Sequence, residues 1–248
     1  MKVKLTYLDN QIAKLTLNRP EYKNAVDFEV IEQMNHHLDE IAANDEVSVV
    51  WIGGEGGAFC SGGDLHAFHS LQTAEEAKKM LLPMCGVLKK IVALQAVTVS
   101  YLDGPAIGGG AEIACATDFT LANSKGKAGF VQAKLAITTG WGGSSLLQRR
   151  VGYHHALQML SSGSIYRLNE LLSLKFVHEE VDNEQGVIDW CENLLQHKNV
   201  VKSYKKNLFS EMQQQQLFAA MDEEVDRCAI LWESSAHHEA VAKFKSRR

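Results

Sequence analysis

Two glycine-rich stretches hold the sequence's main chemical signal. Six glycines fall within the twelve positions from Gly53 to Asp64, and three more stand together at Gly108-Gly109-Gly110. Each stretch follows a short apolar run, Val47–Ile52 in one case and Val97–Leu102 in the other. Glycine lets the backbone come close to a ligand and adopt positive φ, so main-chain N–H groups from two such loops can converge on one oxygen. Donors aimed at a carbonyl oxygen stabilise the oxyanion or enolate that develops there, and losing one typically costs about 3–4 kcal/mol in the transition state. The ordinary alternative is a pair of tight turns. Other glycine chemistry is excluded: there is no G-x-x-x-x-G-K-[ST] phosphate loop, and Gly104 with Gly108-Gly109-Gly110 does not match G-x-G-x-x-G.

The elements that must carry these loops alternate along the chain. Residues 2–18 alternate apolar and polar around Asp9-Asn10 and read as a β-hairpin ending at Asn18-Arg19-Pro20. Asp27 is placed to cap a helix whose apolar face is Val30, Ile31, Met34, Leu38 and Ile41. A helical stretch from Ala74 to about Leu94 is expected to break near Pro83. Behind the three glycines, Ala111–Ala116 reads as a short buried helix and Phe119–Ala122 as another strand. A further glycine loop, Thr138 to Gly143, opens a helix at about Ser144–Val151, and from about Asn183 the pattern is helical to the end. The stretch from Val47 to Gly54 echoes that from Val97 to Gly104, which suggests a repeated, stacked unit. The fold class is α/β.

Composition bounds the rest. The chain has 248 residues, 46% hydrophobic and 22% charged, with a formal net charge of −5, so the whole molecule does not advertise nucleic-acid or anionic-membrane binding. The C-terminal Lys243, Lys245, Arg247 and Arg248 read as a solvated helix end. No apolar run is long enough to span a bilayer, and the first residues lead into alternation rather than a signal-peptide core. Five scattered cysteines with no C-x-x-C suit a reduced cytosol, so a cytoplasmic protein with no zinc site is expected. The adjacent pairs His36-His37, His154-His155 and His237-His238 diverge on a helix and make poor joint metal ligands. No metal is implied.

Four motifs now line up in order. Ala58 to Leu65 resembles the first oxyanion loop of the crotonase (enoyl-CoA hydratase/isomerase) superfamily, and Asp103 to Glu112 resembles its second. Asn18 to Ala25 is similar to that family's early coenzyme A loop, and Ala136 to Gly143 to the loop closing its acyl pocket. The resemblance implies a crotonase-like coil of repeated ββα units over residues 1–190 and a helical oligomerisation region over 191–248. It implies a homotrimer or hexamer and an acyl-CoA substrate, with coenzyme A arriving as part of that substrate and no separate cofactor. It assigns the oxyanion donors to the backbone N–H groups of Gly63 and Gly109. Substrate contacts would come from Lys23, Ala25, Ser61, Gly62, Asp64, Leu65, Ile107, Gln132 and Thr139, with Lys23 along the pantetheine and phosphates and Ser61 and Leu65 on the adenine side.

Glu112 corresponds to the first of two glutamates with which hydratases of that family place and activate water. Its ordinary reading is a helix-start acid facing the dipole, but general acid–base work needs a carboxylate at the reacting carbon. The second glutamate belongs in the stretch from Phe130 to Leu135, and the residue that lines up is Lys134. Three readings of Lys134 stay open: it reaches solvent, it pairs with Glu112 and leaves a one-base enzyme, or it binds an extra carboxylate on the substrate. The last suits a decarboxylase, and the Gly108–Glu112, Phe130-Val131 and Trp141–Gly143 stretches are similar to the ethylmalonyl/methylmalonyl-CoA decarboxylase branch. That branch, however, keeps a glutamate where this chain has Lys134. His66 and His69 follow the first loop and read as surface positions rather than catalysts.

The reading is an acyl-CoA enzyme of the hydratase/isomerase type, working through a thioester enolate held by Gly63 and Gly109 with Glu112 as proton carrier. Decarboxylation of a short 2-carboxyacyl-CoA is the alternative, since it needs enolate stabilisation but not two acids. The rivals outside these are a catalytically silent acyl-CoA-binding protein and an RNA binder using Lys78, Lys79, Lys89 and Lys90, against which the acidic total charge argues.

Overall fold

The computed structural model describes residues 1–8, 11–68 and 70–246. The chain runs β1 (Val3–Tyr7), β2 (Ile12–Leu17), α1 (Phe28–Ala42), β3 (Val49–Gly54), α2 (Ala74–Ala93), β4 (Val97–Leu102), β5 (Pro105–Ile107), α3 (Gly109–Ala116), β6 (Phe119–Ala122) and β7 (Lys127–Gly129). It continues with α4 (Gly143–Val151), α5 (Tyr153–Ser162), β8 (Tyr166–Arg167), α6 (Leu168–Ser173), β9 (Glu179–Glu180), α7 (Glu184–Leu195), α8 (Lys198–Leu208), α9 (Glu211–Trp232) and α10 (Ser235–Lys245). One sheet has the order β1-β2-β3-β4-β6-β9, and a smaller one has the order β5-β7-β8. β1 and β2 form the expected antiparallel hairpin, whose Asp9-Asn10 turn lies outside the described residues; from β2 onward the large sheet is parallel.

A parallel sheet is covered on both faces, and this sequence supplies both sets of side chains. In β3, Val50 and Ile52 enter the main core while Val49 and Trp51 enter a second cluster, as the two-residue period of a strand requires. Val187 and Cys191 of α7 complete that second cluster. The residue-190 boundary expected from sequence falls inside α7. The two echoing stretches are neighbours: β3 and β4 pair in parallel with Val49 opposite Val97.

Local chemistry explains the helices. The Asp27 carboxylate accepts from the Val30 N–H at 2.9 Å and caps α1, whose five expected apolar residues are all buried. Thr73 and Glu76 form a reciprocal capping box that starts α2. The break expected at Pro83 does not occur, and α2 is continuous for 20 residues. Pro83 is exposed, so the carbonyl it cannot serve is on the wet side, while Met80, Leu81, Met84 and Cys85 pin the other face to the core. All five cysteines are free and buried, and burial pushes the Cys60 and Cys115 thiols up to about 12.

Candidate active site

The site begins where the smaller sheet is extended by loops. The Cys60 N–H donates to the Pro105 carbonyl at 3.2 Å and the Ile107 N–H donates to the Cys60 carbonyl at 2.9 Å, a parallel bridge that zips the first glycine loop to β5. On its other side the same loop pairs with the 23–26 segment, through Ser61 N–H to Lys23 O at 3.0 Å, Val26 N–H to Gly62 O at 2.8 Å and Asp64 N–H to Val26 O at 2.8 Å. Three of the four motifs thus lie side by side, joined by isolated parallel bridges.

Only glycine satisfies the junction. Gly62 has φ +90°, and a Cβ on it would meet the Ile107 carbonyl at 2.9 Å and the Gly109 nitrogen at 3.0 Å. The two glycine loops therefore touch at Gly62 and Gly109. Neither the Gly63 nor the Gly109 N–H donates to any protein acceptor among the described residues. Two unpaired donors on adjoining loops can donate to an oxygen from outside the chain.

The coenzyme A motif is rigid for a reason visible in its side chains. Lys23 and Asn24 both take left-handed backbone conformations, at φ 51° and 56°. Asn24 holds this shape by donating to the Glu55 and Ala58 carbonyls at 2.9 and 2.7 Å and accepting from the Arg19 N–H at 2.8 Å. Buried Arg19 links the two loops, donating to the Ala25 carbonyl at 2.7 Å and contacting Asp27 at 3.2 Å and Asp64 at 3.1 Å. The Asp64 side chain, expected at the substrate, is occupied by Arg19 and by the His66 and Ala67 N–H groups. Lys23, Ser61 and His66 are exposed, Leu65 and Ile107 are half-buried, and Ala25 and Gly62 are buried. His69 lies outside the described residues.

Glu112 sits in the first turn of α3, 2% exposed. Its Oε2 accepts from the Trp141 and Gly143 N–H groups, each at 2.9 Å, and its Oε1 accepts from the Gln132 side-chain amide at 2.8 Å. Desolvation, with the nearby Glu224 charge second, outweighs those three bonds and pushes its carboxyl up to about 8. At neutral pH Glu112 is chiefly a neutral acid.

The 130–135 stretch does supply a partner for Glu112. The side chain at Glu112 is that of Gln132, not Lys134. A single 3₁₀ turn, Gln132–Leu135, separates them: Gln132 is buried, whereas Lys134 is exposed and its aliphatic stem lies against Gly163. Of the three open readings of Lys134, the solvent-facing one describes the structure. The Gln132 Oε1 is buried without a partner, so either a protonated Glu112, after an amide flip, or a bound molecule can donate to it.

The 138–145 loop is tied to the C-terminal helices by a residue the sequence did not flag. Glu224 of α9 is buried and accepts from the Thr139 hydroxyl at 2.5 Å, from Ser144 N–H and Oγ at 3.0 and 2.5 Å, and from Ser145 N–H and Oγ at 3.1 and 3.0 Å. Thr139, expected to contact substrate, donates its hydroxyl to Glu224. Trp141 was equally unflagged as a site residue. Its indole lies against both glycine loops, 2.0 Å from where a Cβ on Gly109 would be and 3.7 Å from that on Gly63. No spacing rule in sequence links residues 63, 109, 141 and 224.

The sequence model of the enoyl-CoA hydratase/isomerase family fits residues 8–248. The chain belongs to that family. As a member it is an enzyme of acyl-CoA chemistry. Among its relatives, the ethylmalonyl-CoA decarboxylase of Homo sapiens is 30% identical over 242 residues, covering 95% of this chain and 78% of that protein. The ethylmalonyl-CoA decarboxylase of Xenopus tropicalis is 27% identical over 247 residues, covering 97% and 82%. The enoyl-CoA hydratase of Bacillus halodurans has the same fold, with TM-score 0.88 at 22% identity over 98% of this chain and 100% of that one. An enoyl-CoA hydratase from Mycobacterium avium subsp. paratuberculosis K-10 superposes with TM-score 0.88 at 25% identity, covering 100% and 97%.

Away from the site, two expectations change detail. His36, His37 and Glu40 bring ligand atoms within 4.8 Å of one another on α1, so adjacent histidines there diverge less than assumed. Lys78, Lys89 and Lys90, offered as an RNA surface, pair with Asp226, Asp222 and Asp39. No described helix is long and apolar enough to cross a membrane.

Proposed function

We propose that this enzyme decarboxylates a short 2-carboxyacyl-CoA, with the thioester oxygen held by the Gly63 and Gly109 N–H groups and Glu112 delivering the proton. The observation that carries this reading is that the side chain bonded to Glu112 is the amide of Gln132, while Lys134 is exposed, so no second carboxyl of the kind hydration uses is hydrogen-bonded to Glu112 among the described residues. Loss of carbon dioxide breaks the bond to the α-carbon and sends its electron pair into an enolate, whose negative oxygen two backbone donors stabilise. The enolate then needs one proton at the α-carbon. A carboxyl pushed up to about 8 holds that proton at neutral pH and, being uncharged, does not repel the substrate's own carboxylate. The relatives named ethylmalonyl-CoA decarboxylase support the same choice.

Lys23, Ala25, Ser61 and Leu65 border the coenzyme A path in this reading, and coenzyme A comes with the substrate, so no separate cofactor takes part. Exposed Leu208, Met212 and Ile230, between 66% and 79% accessible, are the faces we assign to assembly as a trimer or hexamer. A double-bond shift is the second reading, favoured by the same single carboxyl, which can take a proton from one carbon and return it to another.

The test is a mass-spectrometric turnover screen with crotonyl-CoA, a 3-enoyl-CoA, methylmalonyl-CoA and ethylmalonyl-CoA, run beside Glu112→Gln. Loss of carbon dioxide that the variant abolishes supports the proposal. Water gain or a double-bond shift without decarboxylation overturns it in favour of the hydratase/isomerase reading. Binding without turnover of any substrate leaves a silent acyl-CoA-binding protein.

A further inference from the structure

Trp141 joins the three groups that the proposed chemistry uses. Its backbone N–H donates to Glu112, and its indole covers the Cα side of Gly109 and reaches that of Gly63. The ring is fixed at its far edge as well, where Nε1 donates to the Met80 sulfur of α2 at 3.3 Å. Phe68 fills the remaining side of Gly63, 3.2 Å from the position of a Cβ there. The indole is 4% exposed and held at both ends, so it is a wall rather than a swinging gate.

The direction of a bound acyl group follows. With the thioester oxygen between the Gly63 and Gly109 donors, the two other substituents of the carbonyl carbon diverge. The sulfur leads toward the 23–26 and 61–65 segments, where the coenzyme A path is assigned. The α-carbon must therefore lie on the Glu112 side, because that carboxyl has to reach it. The Trp141 backbone N–H is bonded to Glu112 and its indole lies against Gly109 and Gly63, so in this reading a straight acyl chain leaving the α-carbon runs against the ring.

We infer that Trp141 is the specificity-determining wall of the acyl pocket, admitting short acyl groups and excluding long straight ones. This rests on the acyl-CoA reading above and deepens it. Replacing an indole by a methyl group opens a cavity that several methylene groups can fill. Discrimination over one methylene in such a pocket runs from about 10- to 200-fold, so a four-carbon difference is easily measured.

The experiment is calorimetric titration of butyryl-CoA, octanoyl-CoA and free coenzyme A into the wild-type protein, Trp141→Ala and Trp141→Phe. None of these ligands can be decarboxylated, so binding is read apart from the reaction. The wild type should bind butyryl-CoA at least about 10-fold more tightly than octanoyl-CoA, and Trp141→Ala should reverse that order. Trp141→Phe, which removes less of the wall and disturbs folding least, should narrow the ratio without reversing it. An unchanged ratio in both variants overturns the inference. A wild-type protein that binds neither thioester better than free coenzyme A overturns the acyl-CoA reading itself, and the inference falls with it.

Discussion

Glu112 and Glu224 are both nearly excluded from solvent, at 2% and 4% exposure, and both hold backbone N–H groups of the loop between Thr139 and Ser145. Their surroundings differ. Glu224 accepts five hydrogen bonds, three of them from hydroxyls that can rotate to suit it. Glu112 accepts three, from two rigid backbone groups and one amide, and burial raises it to about 8. A carboxylate given many donors serves as a structural tie, joining α9 to the start of α4. One given few donors in a dry site keeps its proton and can give it away. The comparison sets a structural role for Glu224 against the proposed chemical role of Glu112, and substitutions should separate them.

The largest effect on folding should come from Glu224→Ala. It strands two backbone N–H groups and three hydroxyls in the interior, at about 1–3 kcal/mol for each donor that finds no new partner. A stability loss of roughly 3–5 kcal/mol is expected in denaturant unfolding, most of it recovered in Glu224→Gln only if the amide oxygen can serve the backbone donors. A loss below about 1 kcal/mol would break the comparison, since Glu224 would then not be a tie.

Glu112→Gln should do the reverse, cutting turnover by roughly 10²- to 10⁴-fold while leaving the fold intact. Its effect on stability depends on pH. Glu112 is raised from its ordinary 4.5 to about 8, so the folded state binds more protons than the unfolded one between those values, and stability falls as pH rises through that window. The contribution is in full below about 4.5 and lost as pH climbs through 8. Wild-type stability measured from pH 5 to pH 9 should therefore decline relative to the variant, and parallel curves would sink the raised value.

Gln132→Glu sharpens the contrast by restoring a second carboxyl. Two acids at hydrogen-bond distance cannot both ionise cheaply, so the pair should share a proton. The expected result is a loss of roughly 1–3 kcal/mol at pH 8.5 that shrinks toward pH 6, together with new hydration of crotonyl-CoA. Hydration equal to that of the unmodified protein would show that Gln132 does not limit the reaction type.

How much of this was legible in the sequence follows the range of the forces involved. α1 was readable because Asp27 and five apolar residues at helical spacing act locally, and β3 and β4 because short apolar runs bounded by glycine fit a sheet buried on both faces. The first two glycine loops were readable as a pair from their shared context. α2 was misread at Pro83, since propensity is local and the packing that overrides it is not. Which residue of the 130–135 stretch bonds Glu112 stayed open, because Gln132–Leu135 is one tight turn with no periodicity to fix which side chain points inward. Glu224 and Trp141 were invisible because their roles exist only once residues far apart in sequence are folded together.

The smallest effect belongs to Lys134→Ala. The side chain is exposed, and the structure pairs it with no acid among the described residues. An exposed lysine this far from a partner contributes within about 0.5 kcal/mol to stability, and its charge is screened by solvent before it reaches Glu112. Turnover of every thioester in the screen should stay within about twofold of the unmodified protein, with the same pH profile. A larger change confined to carboxylated substrates would mean that Lys134 turns inward when they bind, and the neutral Glu112–Gln132 pair would then not be the whole of the proton chemistry.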